Sequence, residues 1–336
     1  MDYLAQLRTP FFTALLASLL LTPLCRGAAR RIGVLDIPGL RKIHSQPVPL
    51  MGGVALLIAF GTGLLFSAAS HRGLTGILLG LLVVFIVGLL DDVRGLSPWA
   101  KLAGQGAAAT IAIAGGVQMS FLGSPYFNIP VTLLWIVAIT NAFNLLDNMD
   151  GLSAGLGAIS AAAFALLAAR YQALGPEQLV TAATGAALAG ACLGFLRYNL
   201  YRATIFMGDS GSLALGFLLA CLGAFGSWRS PTAPTSIMIP LLVLAYPIFD
   251  TTLVVFLRWR RGQPIFQGGK DHSSHRLANL GMSRTEVVLL ICFFAICHAL
   301  TAALITSVTL RLSLLALAVS ASVLFIFGMI LRKVPV

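Results

Sequence analysis

Apolar stretches long enough to cross a bilayer recur along the whole chain, and no other feature limits its fold so strongly. Leu312 to Leu331 carries no charged residue, and Ile77 to Leu90 is a second charge-free run. A helix of about 20 such residues spans the hydrocarbon core. Inside lipid every backbone N–H and C=O must be paired within the protein, which favours helices that satisfy themselves. Only 10% of the 336 residues are charged and 58% are hydrophobic, whereas a soluble domain has about 25% charged residues. The composition excludes a disordered chain and a soluble enzyme. The fold class is all-α, a polytopic integral membrane protein.

Apolar windows broken by polar, Gly or Pro segments predict about eleven helices, over residues 4–25, 52–69, 73–90, 100–117, 129–147, 152–169, 179–196, 212–228, 237–257, 287–306 and 312–331. Together they form a single membrane-embedded domain over 1–336. The fifth to eighth are diluted by Ala and Gly, as in helices that pack on one another. Pro247 lies inside the ninth and is expected to break or bend it. Arg8 and Phe11 to Leu21 resemble a signal peptide, but Cys25-Arg26-Gly27 follows in place of a small-x-small cleavage site. This stretch is read as a retained first span. The five cysteines have no metal-type spacing and read as small buried hydrophobes.

Assigning the 22 Lys and Arg to alternate sides puts Arg8, Arg72, Arg170, Arg229 and Arg311 on one face and the remainder on the other. The positive-inside rule makes the richer face cytoplasmic, with the N-terminus outside and the C-terminus inside. The net charge of +11 then reflects topology and anionic headgroups, and no basic soluble domain exists to bind nucleic acid. Trp99, Trp228 and Trp259 fall at span ends, as interfacial anchors do.

The eleven acids are few enough to place singly. Asp36, Asp91, Asp92, Asp147, Asp150, Asp209, Asp250 and Asp271 all map to the cytoplasmic face, in loops over about 26–51, 91–101, 147–152, 197–212 and 258–286 or at the adjoining span ends. Acids beside a bilayer are costly and mark function by default. Asp91-Asp92 closes the third helix, where the dipole disfavours negative charge, so a metal ion or basic partner is called for; the alternative is a solvated helix end beside Arg94. Asn141, Asn144, Asp147 and Asp150 recur every three residues and fan over one side of the fifth helix, as a polar wall or as interhelical glue. Their oxygens suit a hard cation such as Mg²⁺. Gly208-Asp209-Ser210-Gly211-Ser212 precedes the eighth helix, as an ordinary N-cap or as a phosphate or metal-phosphate site. Phe206 is either core or a surface for stacking a base. Arg41, Lys42 and His44 precede Pro47-x-Pro49 and Gly52-Gly53, which would hold them at a defined place; His272, His275 and Arg276 sit in the loop after the ninth span, suited to phosphate contact.

Taken in order, Asp36-x-Pro38, Arg41-Lys42-x-His44, Pro49-x-x-Gly52-Gly53, Asp91-Asp92, Asn141-x-x-Asn144-x-x-Asp147-x-x-Asp150-Gly151, Met207-Gly208-Asp209-Ser210-Gly211-Ser212 and His272-x-x-His275-Arg276 resemble the polyprenyl-phosphate hexosamine-1-phosphate transferases, of glycosyltransferase family 4 type. The similarity covers roughly residues 30 to 280. The first loop and eleven spans resemble the N-acetylglucosaminyl branch more than the phospho-N-acetylmuramoyl-pentapeptide branch. Many members carry His-x-His-His, where this chain has Ser274 in the middle place, and Asn148 stands where Gly is commoner.

The resemblance implies transfer of a hexosamine 1-phosphate, GlcNAc-1-phosphate first, from a UDP-sugar to undecaprenyl or another polyprenyl phosphate, starting a cell-envelope glycan. It implies Mg²⁺ (Mn²⁺ second) on Asp209 with Asn144, a catalytic group of Asp91, Asp92, Asp147, His272 and His275, and substrate contacts from Arg41, Lys42, His44, Lys101, Asn141, Asp150, Phe206 and Arg276. Uracil would lie against Phe206 and Asp150. The expected setting is the inner membrane with the site facing the cytoplasm, and a homodimer is a candidate assembly. A secondary transporter is the competing class, but its ionisable groups should continue through the midplane.

Overall fold

The structure is a computed structural model that describes residues 3–38, 46–67, 69, 71–121, 124–170, 175–226, 228, 237–264 and 269–335. The chain divides into two compact units, Met1–Ser227 and Trp228–Val336.

In the first unit α1 (Tyr3–Ile32) leads into a two-residue antiparallel ribbon, β1 (Leu35–Asp36) with β2 (Val48–Pro49), in the register Leu35 to Pro49 and Asp36 to Val48. Then follow α2 (Gly52–Leu65), α3 (Arg72–Arg94), α4 (Pro98–Ala114), α5 (Pro125–Leu146), α6 (Leu152–Arg170), α7 (Pro176–Asn199) and α8 (Gly208–Phe225). Local chemistry sets several ends. His71 Nδ1 accepts the Gly73 amide at 3.0 Å to start α3. Gly95, at φ 67°, closes the same helix by donating to the Asp91 carbonyl. Ser97 caps α4, with Pro98 in its first turn.

α8 is the core of this unit: from Gly208 to Phe225 every residue except Asp209 is buried. It packs against α3, α5 and α2, and α7 packs against α1, α6 and α2. Small residues allow the close approach. A Cβ on Gly88 of α3 would lie 2.5 Å from Ser210 Cα, and one on Gly211 would lie 2.8 Å from Gly53 Cα. The small-residue expectation holds for α6, α7 and α8, whose spans are 78%, 83% and 94% buried, but not for α5 at 39%.

The second unit contains α9 (Met238–Val243), α10 (Ala245–Arg260), α11 (Ser273–Asn279), α12 (Arg284–Leu304) and α13 (Leu310–Leu331). Ser283 and Glu286 start α12 with a reciprocal capping box. The expected ninth helix is interrupted at Leu244 (φ −105°, ψ 20°), three residues before Pro247. The offset follows from the ring: proline cannot donate to the carbonyl four residues back and crowds it, so the irregularity falls beside Val243.

Eight helices among the described residues are long and apolar enough to cross a membrane: α1, α3, α5, α6, α7, α8, α12 and α13. The other three expected spans are helical but shorter or interrupted: α2 has 14 residues, α4 has 17, and α9 with α10 divide the ninth. The eighth helix starts at Gly208 rather than 212, and that difference bears on the site.

Candidate active site

In the first unit the acids meet where α3, α4, α5 and α8 end or begin. Lys101 Nζ, on α4, pairs with Asp91 Oδ2 at 2.9 Å and also with Asp209 Oδ2. Asp91 Oδ1 accepts the Leu96 amide at 2.6 Å, which ties the α3–α4 turn to the same carboxylate. Asp92 turns the other way. Its two oxygens accept the amides of Asp209 and Ser210 at 2.7 and 3.0 Å. The cap of α8 is therefore supplied by α3, and the expectation of a local Asp or Ser N-cap is corrected: the N-cap position, Met207, makes no side-chain cap. With α8 capped from outside, Asp209 enters the first turn and its side chain points to Lys101. Gly208, at φ 73°, permits this; a Cβ there would sit 2.7 Å from Asp92 Oδ2.

The four groups at the end of α5 are spread over different partners. Asn141 pairs through its amide with Gln105 of α4, while Asn144 Nδ2 donates to Ser212 Oγ of α8 at 3.0 Å. Asp150 Oδ2 accepts the Ala203 amide at 3.0 Å. Asn141 and Asn144 thus tie α5 to α4 and α8 as interhelical contacts, while Asp147 and Asp150 lie past the end of the helix. Asp147 stays with the acids. Lost hydration first, then the charges of Asp209, Asp92 and Asp150, push its carboxyl up to about 8.

The ribbon and α2 clamp the segment before α8. Phe206 donates its amide to Pro49 O at 2.8 Å, Gly52 donates to Phe206 O at 3.0 Å, and Gly53 donates to Met207 O at 2.9 Å. Asn199 holds the opposite side: Oδ1 accepts the Gly151 amide and Nδ2 donates to Ile205 O. Phe206 is half-buried. Arg41, Lys42 and His44 lie outside the described residues.

In the second unit Asp250 is fully buried. Oδ2 accepts His272 Nδ1 at 2.7 Å, and Oδ1 accepts both the amide and the hydroxyl of Ser273, whose hydroxyl also meets Tyr246 OH at 2.7 Å. Arg258 grips Asp271 through Nε and Nη2 at 2.6 and 2.5 Å; although burial opposes it, that guanidinium lowers the Asp271 pKa. His275 is half-buried, and burial with His272 and Lys270 nearby pushes it down to about 4. Arg276 is fully buried, donating Nε to Asp271 O at 2.9 Å and Nη1 to Val334 O at 2.7 Å. Gln105, Asn199 and Asp250 were not among the expected site residues, and Ser212 entered only as part of the Gly208–Ser212 segment. Gln105, Asn199 and Ser212 are uncharged and lack periodicity, and Asp250 was legible only as one more acid in an apolar chain.

Among the described residues no group of three or more His, Cys, Asp or Glu is close enough to hold a metal. Mg²⁺ seldom needs such a cage, since one or two carboxylates plus substrate phosphates and water complete its shell. The donors fit that pattern: they are hard oxygens, and the charges of Asp209, Asp92 and Asp150 add to burial in raising Asp147.

Spans that pack around α8, with carboxylates gathered at their ends, define a polytopic membrane protein with an acidic centre. Residues 74–226 match the profile of glycosyl transferase family 4. The chain is 36% identical to a probable undecaprenyl-phosphate N-acetylglucosaminyl 1-phosphate transferase of Bacillus subtilis, over 96% of this chain and 90% of that protein. It is 33% identical to a decaprenyl-phosphate N-acetylglucosaminephosphotransferase of Mycobacterium tuberculosis, over 86% and 80%. It is also 36% identical to a phospho-N-acetylmuramoyl-pentapeptide-transferase of Heliobacterium modesticaldum, over 71% and 78%. The chain belongs to glycosyl transferase family 4. Membership of a transferase family leaves the transporter alternative without support.

Proposed function

We propose that this protein transfers N-acetylglucosamine 1-phosphate from UDP-N-acetylglucosamine to a polyprenyl phosphate, undecaprenyl phosphate in the first instance, giving a lipid-pyrophosphate-sugar and UMP. The chemistry rests on one observation, the carboxylates of Asp91 and Asp209 bridged by Lys101 beside the raised Asp147. The donor and acceptor rest on the Bacillus and Mycobacterium relatives, which match more of the chain than the muramoyl-pentapeptide relative does.

An oxygen of the lipid phosphate attacks the β-phosphorus of the UDP-sugar. A new P–O bond forms as the bond from that phosphorus to the bridging oxygen breaks, and UMP leaves with the electron pair. Two anions must meet, so charge neutralisation is the first requirement. Asp209 with Asn144 would hold Mg²⁺, which when bound supplies positive charge at the pyrophosphate. Lys101 adds an ammonium between Asp91 and Asp209. Asp92 acts through α8, fixing the turn that presents Asp209. A phosphate monoester has a second pKa near 6 and is largely a dianion at pH 7. No side chain has to remove its proton, and Asp91 orients rather than acts as base. Phe206 and Asp150 border the clamped turn before α8 and are assigned to the uracil. His272 and His275 are assigned to substrate phosphate, His275 as a neutral donor at pH 7 given its low pKa. The reaction is placed at the cytoplasmic face of the inner membrane.

The test is UMP release by purified protein in detergent with Mg²⁺ and undecaprenyl phosphate, comparing UDP-GlcNAc, other UDP-hexosamines and UDP-MurNAc-pentapeptide. Release that needs both metal and lipid and is fastest with UDP-GlcNAc is expected, and Asp209→Asn should abolish it in folded protein. A preference for the pentapeptide donor would move the protein to the muramoyl branch. Absence of release with every donor would overturn the transferase assignment.

A further inference from the structure

Leu257, Arg260 and Arg261 at the end of α10, with Arg332 and Lys333 just past α13, line a cavity of about 320 Å³. Each pair of cations has an ordinary explanation alone: both follow the carbonyl end of a helix, where positive charge complements the dipole, and both add to the topogenic charge. Neither reason explains why the two pairs converge on one space. Like charges at close range repel, and the ion pairs among the described residues of this unit, Arg258 with Asp271 and His272 with Asp250, leave the four cations without a carboxylate.

A fifth cation lies beside them. Arg276 is fully buried and anchors the carbonyls of Leu331 and Val334, on either side of Arg332 and Lys333, while its Nη2 has no partner. Burial first and then the charge of Arg261 lower its pKa, while Asp271 and Asp250 oppose them. The same helix ends carry exposed apolar side chains: Phe256 and Trp259 on α10, Ile326 and Ile330 on α13. α13 is only 6% buried along its span, as a lipid-facing helix would be.

We infer that this cavity binds the phosphate headgroup of an anionic bilayer phospholipid, held by Arg260, Arg261, Arg332 and Lys333, with the acyl chains along the apolar flanks of α10 and α13. Basic pockets between spans suit such headgroups, and the apolar flanks favour a lipid over a free anion.

Native mass spectrometry of the full chain in detergent tests this without using turnover. With equal phosphatidylglycerol and phosphatidylcholine, the wild type should retain phosphatidylglycerol preferentially. Replacing two cations, Arg332→Gln with Lys333→Gln, should cut that preference about thirtyfold. Arg261→Lys with Arg332→Lys should keep it, as should Arg170→Gln with Arg311→Gln, which removes equal charge elsewhere. Equal retention of both lipids by the wild type, or an unchanged preference in the Gln pair, would overturn the site. Displacement of the lipid by millimolar inorganic phosphate would assign a free-anion site instead. Retention of undecaprenyl phosphate with exclusion of phosphatidylglycerol would assign the acceptor substrate, and either result overturns the phospholipid.

Discussion

The imidazole of His272 donates through Nδ1 to the buried carboxylate of Asp250 at 2.7 Å, with the two side chains 3% and 0% exposed. A carboxylate on Nδ1 fixes the tautomer and leaves Nε2 as the ring atom for a ligand. Asp250→Asn places an amide N–H against the same nitrogen and should reverse the tautomer. The ¹⁵N spectrum of histidine-labelled protein, with His272→Gln to identify the signal, should report the reversal. Turnover should fall as the donor and acceptor sides of the ring exchange. A reversed tautomer with unchanged turnover would reduce the pair to a structural contact.

Lys101 stands between two carboxylates whose mutual repulsion it offsets. Lys101→Met keeps much of the side-chain volume and removes the ammonium, leaving Asp91 and Asp209 to be balanced by another cation. The variant should lose activity, melt below the wild type in metal-free detergent solution, and gain more thermal stability from added Mg²⁺ than the wild type gains. Equal Mg²⁺-induced shifts in both proteins would place metal binding away from this pair.

The acids were legible in the sequence because a charged side chain in an apolar chain is expensive and its presence is therefore informative. Asp91, Asp92, Asp147 and Asp209 could be grouped from the sequence. Which group they serve could not: Asp92 accepts the amide of Asp209, 117 residues later, in the first turn of α8, and nothing local to Asp92 encodes that. The same capping moved the start of α8, because Asp209 and Ser210 have the composition of a local cap but donate their amides to a distant one. The interruption before Pro247 was legible from the ring. The roles of Gln105, Asn199 and Ser212 were not, since neutral polar residues in helices look alike whether they hold a neighbour or face a cavity. Sequence also shows charge but not depth, and Arg276 is fully buried.

His275 makes a pH prediction whose sign is fixed. Its folded pKa of about 4 lies below the ordinary 6.5, so between these values the unfolded chain holds a proton that the folded chain lacks. Stability contributed by neutral His275 is present above pH 6.5 and is lost as pH falls toward 4. His275→Gln should flatten the decline in Tm across that window. Parallel Tm curves for wild type and variant would show that the imidazole titrates normally in the folded protein.

Asp92 should matter to stability as well as to activity. Both oxygens accept amides at the start of α8, the most buried helix of its unit. Asp92→Asn keeps the shape but turns one acceptor into a donor facing an N–H, and weakens the charge that complements the helix N-terminus. Leaving a buried donor unsatisfied costs about 1–3 kcal/mol. The variant should therefore unfold earlier in denaturant titrations in detergent, whereas Asp209→Asn, whose side chain caps nothing, should melt close to the wild type while being inactive. An Asp92→Asn protein as stable as the wild type would mean that α8 does not depend on α3 for its first turn.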